Sequence, residues 1–263
     1  MSSRQGELDR AFCLGAAQAV QPFVVGLAYA DDATDLPQQD FGGSGTCIQV
    51  ADRYFVLTAA HVVLKATSLD RILLLSTTRP KNTSPRIREA LFSGGQRVGE
   101  AVDHCLLELH PKAAATLERE FVTLDGMTLC SPPVGSFGVI VGAPGELTSL
   151  HSRGVTATLA PWISHFVAPP PRAGPNSLCL EYPETHALPK PAGMSGAGLW
   201  AYPGPSDALI WVPTLRLCGV YVEHLGELQL LRALSIERAV RQIGERYPDC
   251  SDHVAAWLNQ HCA

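Results

Sequence analysis

The sequence lacks a strongly basic region. Its 25 acidic residues outnumber its 20 lysines and arginines, which gives a formal net charge of −5. It contains no cluster of Lys and Arg interleaved with aromatic side chains. Nucleic-acid binding depends largely on basic side chains that contact phosphates. The charge pattern therefore argues against nucleic acid as a partner.

Long apolar segments are also missing. A helix that spans a bilayer needs about 20 consecutive apolar residues, and the apolar runs here are shorter. The first ten residues include Glu7 and Asp9 and lack the apolar core of a secretory signal. We therefore expect a cytoplasmic protein with no membrane partner.

The eight cysteines lack the close spacing of redox and zinc motifs. None forms a CxxC pair, and several lie in apolar, strand-like runs, where free cysteine acts as a small hydrophobe. This usage fits a reducing cytosol. Cys250, His253, His261 and Cys262 carry zinc-binding side chains, but their spacing matches no common zinc motif. A metal site there is the less favoured alternative, so neither a metal nor a cofactor is expected.

Three short segments place a histidine, an aspartate and a serine in settings that suit nucleophilic catalysis. His61 follows an apolar strand-like run over 53–58, and Asp103 precedes another over 105–109. Ser195 lies in the segment Gly-Met-Ser-Gly-Ala-Gly, residues 193–198. A serine hydroxyl needs an adjacent base, histidine exchanges protons near neutral pH, and a carboxylate orients the histidine. These roles predict a catalytic triad of Ser195, His61 and Asp103.

The order of the three residues narrows the class of enzyme. His, Asp, Ser is the chain order of double-β-barrel proteases and differs from the orders in α/β-hydrolases and subtilisins. Taken singly, each residue is more typical of a structural role, such as a satisfied histidine or a turn. All three in this order favour the catalytic interpretation. The backbone N–H groups of Gly193 and Ser195 are then predicted to form the oxyanion hole.

These motifs resemble those of trypsin-like (chymotrypsin-fold) serine peptidases, and among them the bacterial trypsin-like and HtrA-type branch. The similarity covers about residues 20–245 and is carried by segments 43–46, 55–61, 136–145, 193–198 and 217–224. It implies an all-β fold of two six-stranded antiparallel β-barrels, with a short N-terminal helix and C-terminal helices.

The implied layout is a single domain over residues 1–263. The first barrel is expected over about 20–110, an inter-barrel connection over 111–133, and the second barrel over 134–232. C-terminal helices are expected over 233–262. Apolar spacing predicts one of them over 236–247, ended by Pro248, and a second short one over 253–260.

The sequence departs from the family pattern at three positions. Val62 follows the histidine, where secreted members often carry a disulfide-bonded cysteine. Met194 stands where the zymogen-activated branch has an aspartate that pairs with a new N-terminal amine, so that activation is not expected. Val222 stands where many relatives place a serine that supports the catalytic carboxylate. The resemblance therefore implies one hydrogen bond fewer to Asp103.

The substrate pocket is expected at Pro189, Val222, Glu223 and His224. Trypsin-type selection of basic side chains uses an acidic residue six positions before the nucleophile, and Pro189 occupies that position here. Glu223 or Glu227 would still permit a basic side chain if one carboxylate pointed inward. The favoured alternative is that both are solvated loop residues.

Two function hypotheses follow. The first is an intracellular serine endopeptidase that cleaves a protein or peptide substrate in regulated, limited proteolysis, with a regulatory protein as a further partner. The second is a protease-fold binding or regulatory protein with little or latent turnover. Esterase activity is a weaker third hypothesis, because the same acyl chemistry accepts activated esters.

Overall fold

The structure is a computed structural model of the chain. It describes residues 14–30, 37–75, 82–83, 86–93, 103–151, 154–182, 190–202 and 215–261. Within these ranges the chain forms two antiparallel β-sheets that contact each other, a two-stranded ribbon, and helices at both ends of the described chain.

The first sheet contains seven strands in the order β5-β4-β1-β2-β3-β7-β6. The strands are β1 Val24–Ala30, β2 Pro37–Val50, β3 Arg53–Thr58, β4 Ile72–Leu75, β5 Asn82–Thr83, β6 Ile87–Ser93 and β7 His104–Leu109. The strand beyond the predicted six is the two-residue β5 at one edge of the sheet.

The second sheet is a closed barrel of six strands in the order β11-β12-β15-β14-β13-β8. The strands are β8 Phe137–Gly142, β11 Ala160–Val167, β12 Ser177–Glu181, β13 Gly198–Ala201, β14 Arg216–Leu225 and β15 Leu230–Ser235. Between β8 and β11 the chain forms the ribbon of β9 Thr148–His151 and β10 Gly154–Ala157. The predicted chymotrypsin-like fold is confirmed, with the second sheet a closed barrel and the first a curled half-barrel, called the first barrel below.

Helices cover short parts of the described chain. They are α1 over residues 14–20, α2 Ala60–Val63, α3 Pro111–Thr116, α4 Glu237–Arg246 and α5 Pro248–His261. Single 3-10 turns occur at Gln21–Phe23, Leu69–Arg71, Leu124–Gly126, Gly145–Leu147, Pro171–Ala173 and Gly226–Leu228. Helix α5 begins five residues before the predicted 253, because Pro248 occupies the first helical position, where its missing N–H costs nothing.

Strand β3, near the centre of the first sheet, carries apolar side chains on both faces. Phe55 and Leu57 pack in the apolar cluster that includes Val240 of α4 and Trp257 of α5. Val56, which points to the opposite face, packs in the cluster inside the first barrel. The strand is therefore buried on both sides, and it ends just before His61.

No helix in the described ranges combines the length and the apolar character needed to cross a membrane.

Candidate active site

His61 and Asp103 are brought together by neighbouring strands of the first sheet. His61 lies in α2, three residues after β3 ends, and Asp103 immediately precedes β7. Strands β3 and β7 pair in antiparallel register, with Thr58 opposite Cys105. The end of one strand therefore lies beside the start of the other.

Two hydrogen bonds fix the imidazole against the carboxylate. Oδ2 of Asp103 lies 2.7 Å from Nδ1 of His61, and Oδ1 accepts the backbone N–H of His61 at 3.0 Å. Asp103 is buried, with 7% of its surface exposed. A ring that donates from Nδ1 to a carboxylate keeps the lone pair of Nε2 for proton transfer. This is the tautomer that a general base in a serine enzyme needs.

Ser195 lies on the tight loop that enters β13 of the second barrel. The flanking glycines have positive φ angles, 88° for Gly193 and 94° for Gly196, a region that favours glycine. A Cβ at position 196 would lie 2.1 Å from the carbonyl oxygen of Ser44 and 2.2 Å from Oγ1 of Thr58. Glycine at 196 is therefore required by both the backbone angle and the space.

The Ser195 loop is held by both barrels. The carbonyl of Ser195 accepts the N–H of Ser44 on β2 at 2.8 Å, and the N–H of Gly196 donates to the backbone carbonyl of Tyr221 on β14 at 2.7 Å. The Ser195 hydroxyl donates to the carbonyl of Val222 at 3.5 Å, the outer limit of a hydrogen bond. Ser195 therefore stands at the junction of the two barrels.

The backbone around the predicted oxyanion hole has a defined orientation. The carbonyl of Ala192 accepts the N–H of Gly145 at 2.8 Å, and the carbonyl of Met194 accepts the N–H of Ala197 at 2.9 Å. In a planar trans peptide the N–H points opposite to the carbonyl. The N–H groups of Gly193 and Ser195 are thus turned away from these contacts, as donors to an oxyanion must be.

Ser44 is a residue of this site that the sequence analysis missed. Its buried hydroxyl donates to the carbonyl of Gly193 at 3.1 Å and accepts the N–H of Ala143 at 2.9 Å. It therefore ties the Ser195 loop to the end of β8. The segment Gly-Ser-Gly-Thr, 43–46, marked the start of a strand in the sequence, but nothing in it indicated these distant partners.

The cysteines near the site are poor nucleophiles. Burial raises the pKa of the Cys47 thiol to about 12, against a smaller opposing effect of the Arg119 charge. Burial also raises the pKa of the Cys105 thiol, which lies two residues after Asp103. A thiol attacks as its thiolate, so both groups are inert near neutral pH. Ser195 therefore remains the candidate nucleophile.

The structure describes three of the four predicted pocket residues. Pro189 lies outside the described residues. The side chain of Val222 is buried in the apolar cluster inside the first barrel and has no polar atom to offer Asp103. The ring of His224 packs edge-on against Tyr182, with centroids 4.8 Å apart.

The two acidic residues considered for the pocket are both ion-paired. The Glu223 carboxylate on β14 lies 2.7 Å from Nη2 and 2.8 Å from Nε of Arg232 on β15. Glu227 is 86% exposed and lies 3.3 Å from Arg172. Glu227 is therefore a solvated residue of the turn after β14, as the favoured alternative had it, whereas Glu223 is a strand residue whose charge the buried Arg232 balances.

Met194 is packed in the core of the second barrel. Its side chain is 1% exposed and lies in the same apolar cluster as Ile140 and Leu199. An aspartate at this position would be a buried charge. The apolar packing of Met194 explains how the loop before Ser195 is supported without an ion pair there.

Comparison with solved structures shows the class of fold. Human heparin binding protein is 15% identical to this chain, with a TM-score of 0.59, and the match covers 87% of this chain and 92% of that one. The scabies mite inactivated protease paralogue S-I1 is 16% identical, with a TM-score of 0.57 and coverage of 88% and 96%. No protein-family model and no curated protein matches the sequence. The chain therefore has the fold of chymotrypsin-like serine proteases, and these identities support the fold alone.

Proposed function

We propose that this protein is a serine endopeptidase that cleaves a protein or peptide substrate through Ser195, His61 and Asp103. The observation that carries the proposal is the pair of hydrogen bonds from His61 to Asp103, at a junction of two barrels that also presents Ser195. It is supported by the glycines at 193 and 196, which permit the tight turn around the nucleophile.

In the proposed mechanism, Nε2 of His61 takes the proton of the Ser195 hydroxyl as the oxygen attacks the substrate carbonyl carbon. The N–H groups of Gly193 and Ser195 stabilise the resulting oxyanion. His61 then gives its proton to the leaving amine, which departs as the carbonyl re-forms in an acyl-enzyme. Water, activated by His61, releases the acid product and restores Ser195. Asp103 stabilises the imidazolium in both halves of the reaction.

The proposal extends to location and regulation. The six cysteines in the described part of the chain are all free thiols, which supports the cytoplasmic location expected from the sequence. A protease in that compartment requires limited, regulated action, and a regulatory protein partner belongs to this proposal. The ion pair of Glu223 with Arg232 supports a specificity other than trypsin-type selection of basic side chains.

The second candidate is a protease-fold binding or regulatory protein with little or latent turnover. Two observations favour it. The Ser195 hydroxyl donates to the Val222 carbonyl at 3.5 Å, an interaction that competes with His61 for the same proton. One structural neighbour is, by its name, an inactivated protease paralogue, so this fold also serves proteins that have lost activity.

Cleavage of a peptide library separates the two candidates. The wild-type protein is incubated with a proteome-derived peptide mixture, and new termini are identified by mass spectrometry. We expect cleavage that Ser195→Ala abolishes and that Asp103→Asn slows by about 10⁴-fold, because Asn fails to hold the reactive tautomer. A set of new termini that is the same with Ser195→Ala as with the wild type would show that the cleavage does not use Ser195 and would contradict the proposal. Folded wild-type protein that produces no new termini would favour the second candidate.

A further inference from the structure

A small cavity of about 200 Å³ lies beside His104, where β7 begins and helix α4 starts. It is lined by His104, Ser235 and Leu234, by Asn176, and by Glu237, Arg238 and Arg241 of α4. Since one water occupies about 30 Å³ of liquid, the cavity has room for a small polar ion with some water. It is too small for a drug-sized ligand, whose pockets begin at about 300 Å³.

His104 is the most unusual group in this cavity. It is 2% exposed, and both ring nitrogens are buried without a hydrogen-bond partner in the structure. A neutral imidazole carries one N–H donor and one acceptor, and a buried polar atom without a partner costs about 1–3 kcal/mol. A group of this kind that lines a cavity indicates a ligand with polar atoms.

Charges of both signs lie around His104, and two of the charged side chains that line the cavity are arginines. Burial is the main cause that lowers its pKa to about 4; the Asp103 charge, the next largest influence, raises the pKa, and the smaller effect of the Arg238 charge lowers it. Arg238 and Arg241 both line the cavity. The first turn of the ten-residue helix α4 adds the partial positive charge of its N–H groups.

We propose that this cavity binds a small oxyanion of the phosphate type, with His104 and Arg238 as its two main donors. The N–H of the neutral imidazole and the guanidinium of Arg238 supply hydrogen bonds to the anion, and the start of α4 favours its charge. The site is separate from Ser195, and its occupancy does not depend on the proposed protease activity.

The ion pairs of the two cavity arginines leave Arg238 able to bind an anion. Arg238 lies 3.2 Å from Glu245, but both side chains are at least half exposed, so the pair is weak. Glu237 lies 2.8 Å from Arg241, and its own N–H donates to Ser235. Arg241 therefore balances the one carboxylate of the described lining, and Arg238 supplies the net positive charge of the cavity.

Calorimetric titration with inorganic phosphate tests the proposal. Chloride replaces phosphate at constant ionic strength in the reference titration, at neutral pH. We expect saturable binding by the wild type with a Kd of about 1 mM. Arg238→Gln should raise the Kd at least about tenfold, as the loss of one charge-assisted hydrogen bond implies. Arg172→Gln is the matched control, since Arg172 is equally exposed and lies outside the cavity.

A second measurement follows His104 directly. In the ¹H–¹⁵N spectrum of the histidine side chains, phosphate should shift the ring signals of His104 and leave those of the exposed His253 unchanged. A parallel titration with glycerol phosphate separates the two sources of the anion: tighter binding of the ester assigns the site to phosphate monoesters, and tighter binding of the free ion assigns it to inorganic phosphate. Failure of both ligands to saturate, or an affinity unchanged in Arg238→Gln, would overturn the proposal.

Discussion

Ser44 shows how a single hydroxyl holds the Ser195 loop from the opposite barrel. It contacts the carbonyl of Gly193, 149 positions away, and the N–H of Ala143, 99 positions away. Its own N–H donates to the Ser195 carbonyl. Removal of the hydroxyl would leave the buried N–H of Ala143 without its acceptor and would release one end of the Gly193 peptide.

We predict that Ser44→Ala lowers the free energy of unfolding by about 1–3 kcal/mol, the cost of a buried donor left without a partner. The same substitution should slow the reaction of Ser195 with a serine-directed phosphonate. Chemical denaturation and the labelling rate measure the two effects. Ser136→Ala is the control, since its exposed hydroxyl bonds only the local carbonyl of Pro133. An unchanged labelling rate in Ser44→Ala would contradict a positioning role.

At the residue scale, the sequence was enough to predict that His61 and Asp103 lie in contact, but it was not enough to predict the role of Ser44. The first two belong to motifs in which the neighbouring residues already indicate a strand end and a strand start. Ser44 lies between two glycines, a setting typical of any turn or strand start. Its role depends on partners that only the packing of both barrels brings near, and local sequence carries no signal of that contact.

At the element scale, helices α4 and α5 brace the two strands that carry the His–Asp pair. Glu108 of β7, 4% exposed, lies 2.6 Å from Nη1 of Arg53 on β3 and 3.2 Å from the hydroxyl of Tyr247 between the helices. The Arg53 guanidinium lies 4.1 Å from the centroid of the Tyr247 ring, a distance typical of a cation–π contact. The network therefore connects β3 and β7 to the C-terminal helices.

We predict that Glu108→Gln lowers the free energy of unfolding by about 1–3 kcal/mol, because it removes the charge that Arg53 faces in a buried setting. Urea denaturation measures the change. Asp249→Asn is the matched control: Asp249 also contacts Arg53, at 2.8 Å, but on the surface. It should leave stability nearly unchanged. Equal effects of the two substitutions would show that the buried network is no stronger than a surface ion pair.

Elements with strong apolar patterns were predictable, and short polar ones were not. Strand β3 was predicted with the bounds that the structure shows, because its apolar and β-branched residues leave few alternatives. The two-residue β5 and the ribbon of β9 and β10 carry no such pattern. These strands form because other segments of the same chain pair with them, which is a tertiary effect.

At the scale of the whole molecule, the candidate site exists only where the two barrels meet. His61 and Asp103 lie next to strands β3 and β7 of the first sheet, and Ser195 lies on a loop of the second barrel that Ser44 joins to the first. The chain order of the three residues was enough to predict this division. The balance of Glu223 by Arg232 was not predictable, since it depends on the register of β14 against β15.

The most direct test of the central claim is labelling with a fluorophosphonate probe, followed by mass spectrometry of the modified peptide. Such a probe reacts fastest with a serine that a neighbouring base activates. The account predicts one label per molecule on Ser195, absent in Ser195→Ala and strongly reduced in Asp103→Asn. Folded wild-type protein that takes up no label, or carries it on another residue, would contradict a working triad of Ser195, His61 and Asp103.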